Sequence, residues 1–221
     1  MGGLPKPDTL TSSPPRTTFF YSRFIGYTYQ ERGLFMSIIA GVTKNGMTAI
    51  AGDTQANFGD MVMPRDNHRA SKIKKLGTSY IGKTGWAVYD NIFDDFISAK
   101  RKPVLRNERE IYRFFLALWK ALHDRYALVN DQAEQKDSPF GDLAASFLVA
   151  NRHGIYAVAS DMSVTRFQKF YAIGSGNEFA LGALEALYGQ NLDAAALARK
   201  AVETAITFQP FCGGEIQVFC V

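Results

Sequence analysis

An α+β protein built of packed layers is what the sequence predicts. Three observations carry this. Strand-like runs come in neighbouring pairs joined by turn residues. Helix-like stretches also come in pairs. No strand alternates regularly with a helix, as a parallel sheet would require. The chain has 221 residues, 47% of them hydrophobic, which is enough for one sizeable core.

Taken in order, residues 1–35 show no hydrophobic period, hold four of the eight prolines, and lack the apolar stretch of a secretory signal. Arg16 and Arg23 among Ser, Thr and aromatic residues give the segment a faint transit-peptide character. It reads as a leader, as a propeptide, or as sequence upstream of the true translation start. Glu31-Arg32-Gly33, with its purine-rich codons just ahead of Met36, favours the third reading. The folded domain is expected over 37–221. Residues 37–43 (SIIAGVT) and 47–53 (MTAIAGD) are strand-like runs around Lys44-Asn45-Gly46, a hairpin signal. A three-residue loop pairs Thr43 with Met47 and Ser37 with Asp53, whereas a two-residue loop shifts the pairing by one. Either register leaves Asp53 beside the start of the domain. Residues 78–81 form a short strand candidate. Residues 90–102 and 108–130 read as helices, the second with Ile111, Phe114, Phe115, Leu118, Trp119 and Leu122 on one stripe. A polar loop covers 130–141. The runs 145–150 and 155–160 form a second hairpin across Asn151-Arg152-His153-Gly154, and 167–173 is a strand ending in Gly174-Ser175-Gly176. Asn177 is placed to cap a helix over 178–189 and Asp193 one over 194–208, before a last strand over 215–221.

Composition excludes several classes. Charged residues are 21% and aromatics 13%, which rules out global disorder. No apolar run reaches the roughly 18 residues a membrane helix needs. The net charge of +4 without a long Lys/Arg cluster gives no nucleic-acid groove. Two cysteines, Cys212 and Cys220, build neither a metal cage nor a disulfide framework, and they read as small buried hydrophobes in a reducing, cytoplasmic setting. His68, His123 and His153 fall in no triad or metal motif and read as surface or loop residues.

The chemistry depends on Ser37. If the mature chain begins there, the residue carries a hydroxyl and a free α-amine. Such an amine, with a pKa of about 7.7–8.0, can act as the base for its own hydroxyl. Asp53 closes an apolar strand, where an unpaired carboxylate is costly, so a cationic partner is expected. Lys72 is the candidate, a partly buried cation that would ease proton loss from the hydroxyl. Lys74 and Lys75 read as a solvated edge.

The runs Ser-Ile-Ile-Ala-Gly-Val at 37–42, Ala-Gly-Asp-Thr-Gln-Ala-Asn at 51–57, Lys72-Ile73 and Ala-Ile-Gly-Ser-Gly at 172–176 occur in an order and spacing that resembles the proteasome β-subunit family of N-terminal nucleophile hydrolases. The likeness is greatest to bacterial proteasome-like peptidases of the HslV type. The resemblance spans 37 to about 207. It implies a four-layer αββα sandwich and peptide-bond hydrolysis inside a ring-shaped homo-oligomer. It further implies an ATP-dependent unfoldase as possible partner, unfolded polypeptide as substrate, and no cofactor or metal. Residue by residue, it implies that Ser37 is the nucleophile, Asp53 and Lys72 set the local charge, and Ser175 supports the amine. Gly82 supplies the oxyanion N–H, with Gly85 as rival.

The sequence departs from that pattern in four places. Serine stands where threonine is usual. The stretch before Lys72 is longer by about three residues, so an ungapped count selects Arg69, but arginine does not readily give up its proton. Thr207 stands where an aspartate supporting the free amine is expected. No glycine precedes Ser37, which favours a start at Met36 over a self-cleaving propeptide. A small-substrate amidohydrolase and an inactive structural ring subunit are the rival readings.

Overall fold

The computed structural model describes residues 36–58, 61–63, 67–68, 71–98, 103–126, 143 and 145–221. The segment expected as a leader, the polar loop at 130–141 and Arg69 lie outside the described residues. Along the chain run β1 (Ile39–Lys44), β2 (Met47–Asp53), β3 (Ala56–Phe58), β4 (Met61–Met63), β5 (Ile73–Leu76), β6 (Ser79–Gly85), α1 (Val88–Ser98) and α2 (Glu108–Ala121). They are followed by β7 (Ala145–Asn151), β8 (Gly154–Val158), β9 (Val164–Phe167), β10 (Phe170–Ile173), α3 (Asn177–Leu187), α4 (Ala194–Phe208) and β11 (Ile216–Cys220).

Two antiparallel sheets, ordered β10-β1-β2-β11 and β5-β6-β7-β8-β9, lie between two helix pairs, and β3-β4 form a separate hairpin. Three apolar clusters fill the three interfaces of this αββα sandwich. Ile38, Ala40, Val42, Ala49 and Ala51 pack with α3 and α4. Ile39, Ile50, Leu148 and Ile155 meet between the sheets. Phe147, Val149, Tyr156 and Val158 pack with α1 and α2, where Phe93, Phe96, Phe114 and Phe115 make edge-on and stacked ring contacts. Both faces of the central strands are therefore buried, which is why they read as unbroken apolar runs rather than alternating ones. The α3–α4 face is lined by alanines, among them Ala180, Ala198, Ala201 and Ala205, so those helices sit close on their sheet.

The sheets also approach closely. A Cβ on Gly52 would lie 2.5 Å from Ile39 Cδ1, and one on Gly82 would lie 2.5 Å from Ile39 Cγ2. Ile39 thus fills the space that two glycines leave open.

Several expectations change at the level of register and boundary. The first hairpin turns on Asn45-Gly46 alone, both with positive φ (52° and 76°), so Lys44 pairs with Met47 and Ile39 with Gly52. A two-residue turn of this hand matches the right-handed twist of the strands, and this decides against the three-residue loop. Ile38, not Ser37, faces Asp53. The run at 167–173 is two strands, β9 in one sheet and β10 in the other, because the chain crosses between layers there. Asn177 lies inside α3, and Gly176 stands at its cap without a side-chain bond. Asp193 does cap α4, its Oδ1 accepting from Ala196 N at 2.7 Å. The second helix keeps α-geometry to Ala121 and continues as a π-helical turn over Leu122–Tyr126. Strands β3, β4 and β5 were not expected, being too short to show a period.

The close approach at Ile39 makes a quantitative prediction. Gly52→Ala is expected to cost about 1–3 kcal/mol through overpacking. Ile39→Val, which removes the clashing Cδ1, is expected to recover much of that loss in the double variant. Urea denaturation of the four proteins of the cycle measures it.

Candidate active site

Asp53 ends β2 and is almost entirely buried, at 1% exposure. Its carboxylate is shared among three segments. Oδ1 accepts from Lys72 Nζ at 2.8 Å and from Ile38 N at 3.0 Å, while Oδ2 accepts from Gly213 N at 3.0 Å. Asp53 N in turn donates to Ile38 O at 3.2 Å. The carboxylate therefore fixes the start of β1, holds Lys72 just before β5, and pins the turn that leads into β11. The same turn is held by Thr54 and Gln55, whose N–H groups both donate to Gly213 O. The Lys72 side chain is 13% exposed and Asp53's is fully buried, so this is a sequestered ion pair.

Ser37 lies next to this pair, 6% exposed. Its Oγ donates to the Met36 carbonyl at 2.5 Å. Its own carbonyl is received by the loop between β10 and α3, with Ser175 Oγ and Gly176 N each 3.5 Å from Ser37 O. Gly174 makes this possible. It has φ +102°, and a Cβ there would sit 2.2 Å from Ser37 O, so no side chain fits. Ser37, Asp53, Lys72 and Ser175 are thus brought together.

Gly82 is not brought to Ser37. It sits inside β6, opposite Ile73 on one side and Leu148 on the other, at the level of Ile39. Lys83 N donates to Lys72 O at 3.0 Å. N–H directions alternate along an antiparallel strand, so the Gly82 N–H is turned into the ladder with β7. Strand β6 passes Ser37 two residues later. The Thr84 methyl lies 3.1 Å from the position a Gly174 Cβ would take, and the Thr84 hydroxyl is buried without a hydrogen-bond partner among the described residues. Gly85, with φ +118°, follows, and its N–H returns to the Lys72 side beyond the last β5 pair. Gly82 is a packing glycine against Ile39.

Thr207 also lies apart. It is exposed and donates to Glu203 O of its own helix at 2.9 Å. Gln209, at the end of α4, reaches the loop instead, its Nε2 donating to Ser175 O at 3.1 Å. Sequence reading missed Gln209 and Gly213, whereas Cys212 is buried as expected. The one available signal was the Gly213-Gly214 pair ahead of the last strand, where Gly214 has φ +76°. Cys212 is buried with Sγ 3.7 Å from Ser175 Oγ, and burial, reinforced by the Asp53 charge, pushes its thiol up to about 12. Cys220 is exposed, contrary to expectation.

A pocket lies against the same lysine. Its lining includes Lys72, Lys74 and Lys83 with Asp90, over Ile81, Phe93 and Phe147. Lys83 Nζ sits 3.0 Å from Asp90 Oδ2 and donates to Trp86 O at 3.1 Å. Burial lowers the Lys83 pKa, Asp90 opposes the shift, and the Lys74 and Lys72 charges add to it. Lys74, expected to be solvated, is half-buried and paired with Asp94. Lys75 is exposed as expected.

Comparison with known proteins agrees with this architecture. The sequence profile described as "Proteasome subunit" matches residues 123–221. The ATP-dependent protease subunit HslV of Bartonella quintana is 31% identical over 173 residues, 78% of this chain and 82% of the relative. A proteasome subunit beta of Nanoarchaeum equitans is 27% identical over 192 residues, 84% of this chain and 93% of the relative. Among solved structures, Thiobacillus denitrificans BPH in complex with epoxomicin superposes with a TM-score of 0.76 at 33% identity, covering 83% of this chain and 97% of that one. HslV from Trypanosoma brucei, at 22% identity and a TM-score of 0.60, shares the fold. The fold and site define an N-terminal nucleophile hydrolase fold. Within that class, the chain belongs to the proteasome family, among its HslV-like peptidases.

Two measurements probe the site. Asp53→Asn leaves Lys72 without its charge partner in a sequestered position, and is expected to cost about 3–5 kcal/mol in urea unfolding. Alkylation by iodoacetamide near pH 8, followed by peptide mass mapping, is expected to mark Cys220 well before Cys212. With a pKa of about 12, the Cys212 thiolate amounts to about one part in 10⁴ at that pH.

Proposed function

We propose that this protein is a peptidase that hydrolyses peptide bonds with Ser37 as its N-terminal nucleophile, inside a ring of identical subunits. The observation that carries the reading is the buried Asp53 carboxylate, which joins Lys72 to the amide immediately after Ser37. Release of Met36 would free both the Ser37 hydroxyl and its α-amine. The hydroxyl then attacks the scissile carbonyl, and its proton passes to the amine through water. The Lys72 charge favours the developing alkoxide. Ser175, tied to Gln209 through its carbonyl, steadies the amine and the water. The Gly85 N–H takes the oxyanion role in place of Gly82, an interaction typically worth a few kcal/mol. The tetrahedral adduct collapses as the C–N bond breaks, the protonated α-amine gives its proton to the departing amine, and water hydrolyses the resulting ester to release the acid and the free hydroxyl. Nucleophile and base belong to one residue, so the chemistry calls on no metal or organic cofactor.

Assembly and partners follow as part of the same reading. Exposed apolar side chains at Trp86, Val88, Tyr112 and Leu116, and on the β3–β4 hairpin at Phe58, Met61 and Val62, support burial between subunits. Relatives named as ATP-dependent protease subunits support an ATP-driven unfoldase partner and unfolded polypeptide substrates. Among the described residues no helix is long and apolar enough to cross a membrane. A cytoplasmic setting completes the proposal, with residues 1–36 outside the mature domain.

Initial rates on fluorogenic peptides test the mechanism. Ser37→Ala is expected to abolish turnover and the binding of epoxomicin, with assembly intact. Ser37→Thr should stay active, its branched side chain restricting the rotamer. A non-cleavable residue placed before Ser37 should inactivate almost as fully as alanine, because it locks the amine in a peptide bond. Lys72→Ala should inactivate and Arg69→Ala should not. Activity should fall as pH drops below about 8, where the amine becomes protonated. Full activity in the extended variant would show that the amine is not the base. A monomer in light scattering would favour the small-substrate amidohydrolase.

A further inference from the structure

A glycine does not hold its own N–H in one direction. Without a Cβ it populates positive and negative φ about equally, so its orientation has to be imposed by its neighbours. Gly85 has φ +118° and stands at the last pair of the β6–β7 ladder, opposite Ala145. There the ladder ends, and the chain turns through Trp86 into α1.

Lys83 holds this turn from two residues upstream of Gly85. Its N–H donates to Lys72 O at 3.0 Å, which ties its main chain to the approach to β5. Its side chain reaches forward, and Nζ donates to Trp86 O at 3.1 Å. The same carbonyl accepts from Tyr89 N at 3.1 Å, which joins the turn to the first turn of α1. Nζ also lies 3.0 Å from Asp90 Oδ2 on that helix. The main chain from 83 to 86, returned through the lysine side chain, is thus a closed ring with Gly85 inside it. The Lys83 side chain is 11% exposed, so water competes little for this charge-assisted bond. The ion pair is the weaker tie, because Asp90 is 44% exposed. Packing alone does not call for a lysine here. The surroundings include Ile81, Phe93 and Phe147, where an apolar side chain carries no cost of a buried charge. Burial lowers the Lys83 pKa, and Asp90 opposes that shift.

We propose that Lys83 is a positioning residue for the oxyanion site: by holding the Trp86 carbonyl it keeps Gly85 at positive φ, with its N–H aimed where the substrate carbonyl oxygen becomes charged. The proposal rests on the reading of Ser37 as nucleophile and Gly85 as oxyanion donor.

A peptide aldehyde and the alcohol of the same peptide, compared as inhibitors of the assembled protein, report on that donor. The Ser37 hydroxyl adds to the aldehyde carbon, its proton passes to the α-amine, and the carbonyl electron pair moves onto the oxygen. The alcohol offers no carbonyl and binds as a ground-state competitor. Removing an oxyanion donor outright costs about 10²–10³ in kcat, so loosening one through Lys83→Met is expected to lower kcat about tenfold or more. KM should change by less than about twofold, because the interaction is made only in the transition state. The preference for aldehyde over alcohol should fall with kcat. Lys83→Arg, which keeps a charged donor, should retain that preference within about threefold. Asp90→Ala, which removes the weaker tie, should lower kcat and the preference about threefold, and it decides the matter if Lys83→Met fails to fold. A lysine that only stabilises the fold would lower the urea midpoint and leave the preference intact. An unchanged preference in the folded Lys83→Met protein, or a loss carried by KM alone, overturns the positioning role and leaves the peptidase. A parent protein that cleaves no peptide and binds aldehyde and alcohol alike refutes the peptidase reading, and the positioning role falls with it.

Discussion

A buried carboxylate is stable only if its charge and lone pairs are met, and at Asp53 three separate segments meet them. The main-chain N–H of Ile38 comes from the start of β1, Lys72 from the approach to β5, and the N–H of Gly213 from the turn before β11. Losing any one donor leaves a buried charge short of a partner, a penalty of several kcal/mol in the case of the lysine. The three segments are therefore positioned together or not at all. Ser37 inherits its place from this constraint, since the residue after it is bonded at both N–H and C=O to Asp53.

The second requirement is space. The loop Gly174-Ser175-Gly176 can close over the Ser37 carbonyl because Gly174 has no side chain and adopts φ +102°. Gly176 performs a similar service on the helix side, where a Cβ would lie 2.9 Å from Ala205 Cβ and 3.2 Å from Cys212 Sγ. Between the sheets Gly52 and Gly82 make room for Ile39. Small residues set how near the layers come, and that nearness brings a strand start, a lysine and a loop from distant parts of the chain into one site.

Charge is distributed unevenly around that site. Lys72 is neutralised from the sheet side by a saturated carboxylate, whereas Lys74 and Lys83 depend on the partly exposed carboxylates Asp94 and Asp90. Pairs with an exposed member are weakly bound and easily exchanged, because solvent screens their attraction. The buried pair is thus suited to a fixed architectural role. The same reasoning accounts for Cys212, whose burial beside Asp53 keeps the thiol neutral.

The sequence by itself determined the layers. Unbroken apolar runs, Asn45-Gly46, the stripe through Ile111 and Leu118, and Asp193 ahead of an alanine-rich helix are local signals, each governed by backbone propensity or by one buried face. Four of the residues singled out on chemistry and family resemblance, Ser37, Asp53, Lys72 and Ser175, are neighbours in space. What only the tertiary structure decided depends on contacts far apart in the chain. The hairpin register, and so Ile38 rather than Ser37 opposite Asp53, was settled by strand twist acting on a two-residue turn. The division of 167–173 into strands of two different sheets follows from layer stacking, which leaves no trace in a hydrophobic pattern. Gly82 and Gly85 differ in sequence by three positions and in which edge of β6 their N–H groups face, a parity that only the pairing with β5 and β7 fixes. Gln209 replaces Thr207 at the loop because the helix presents Thr207 to solvent and ends just where Gln209 can turn inward.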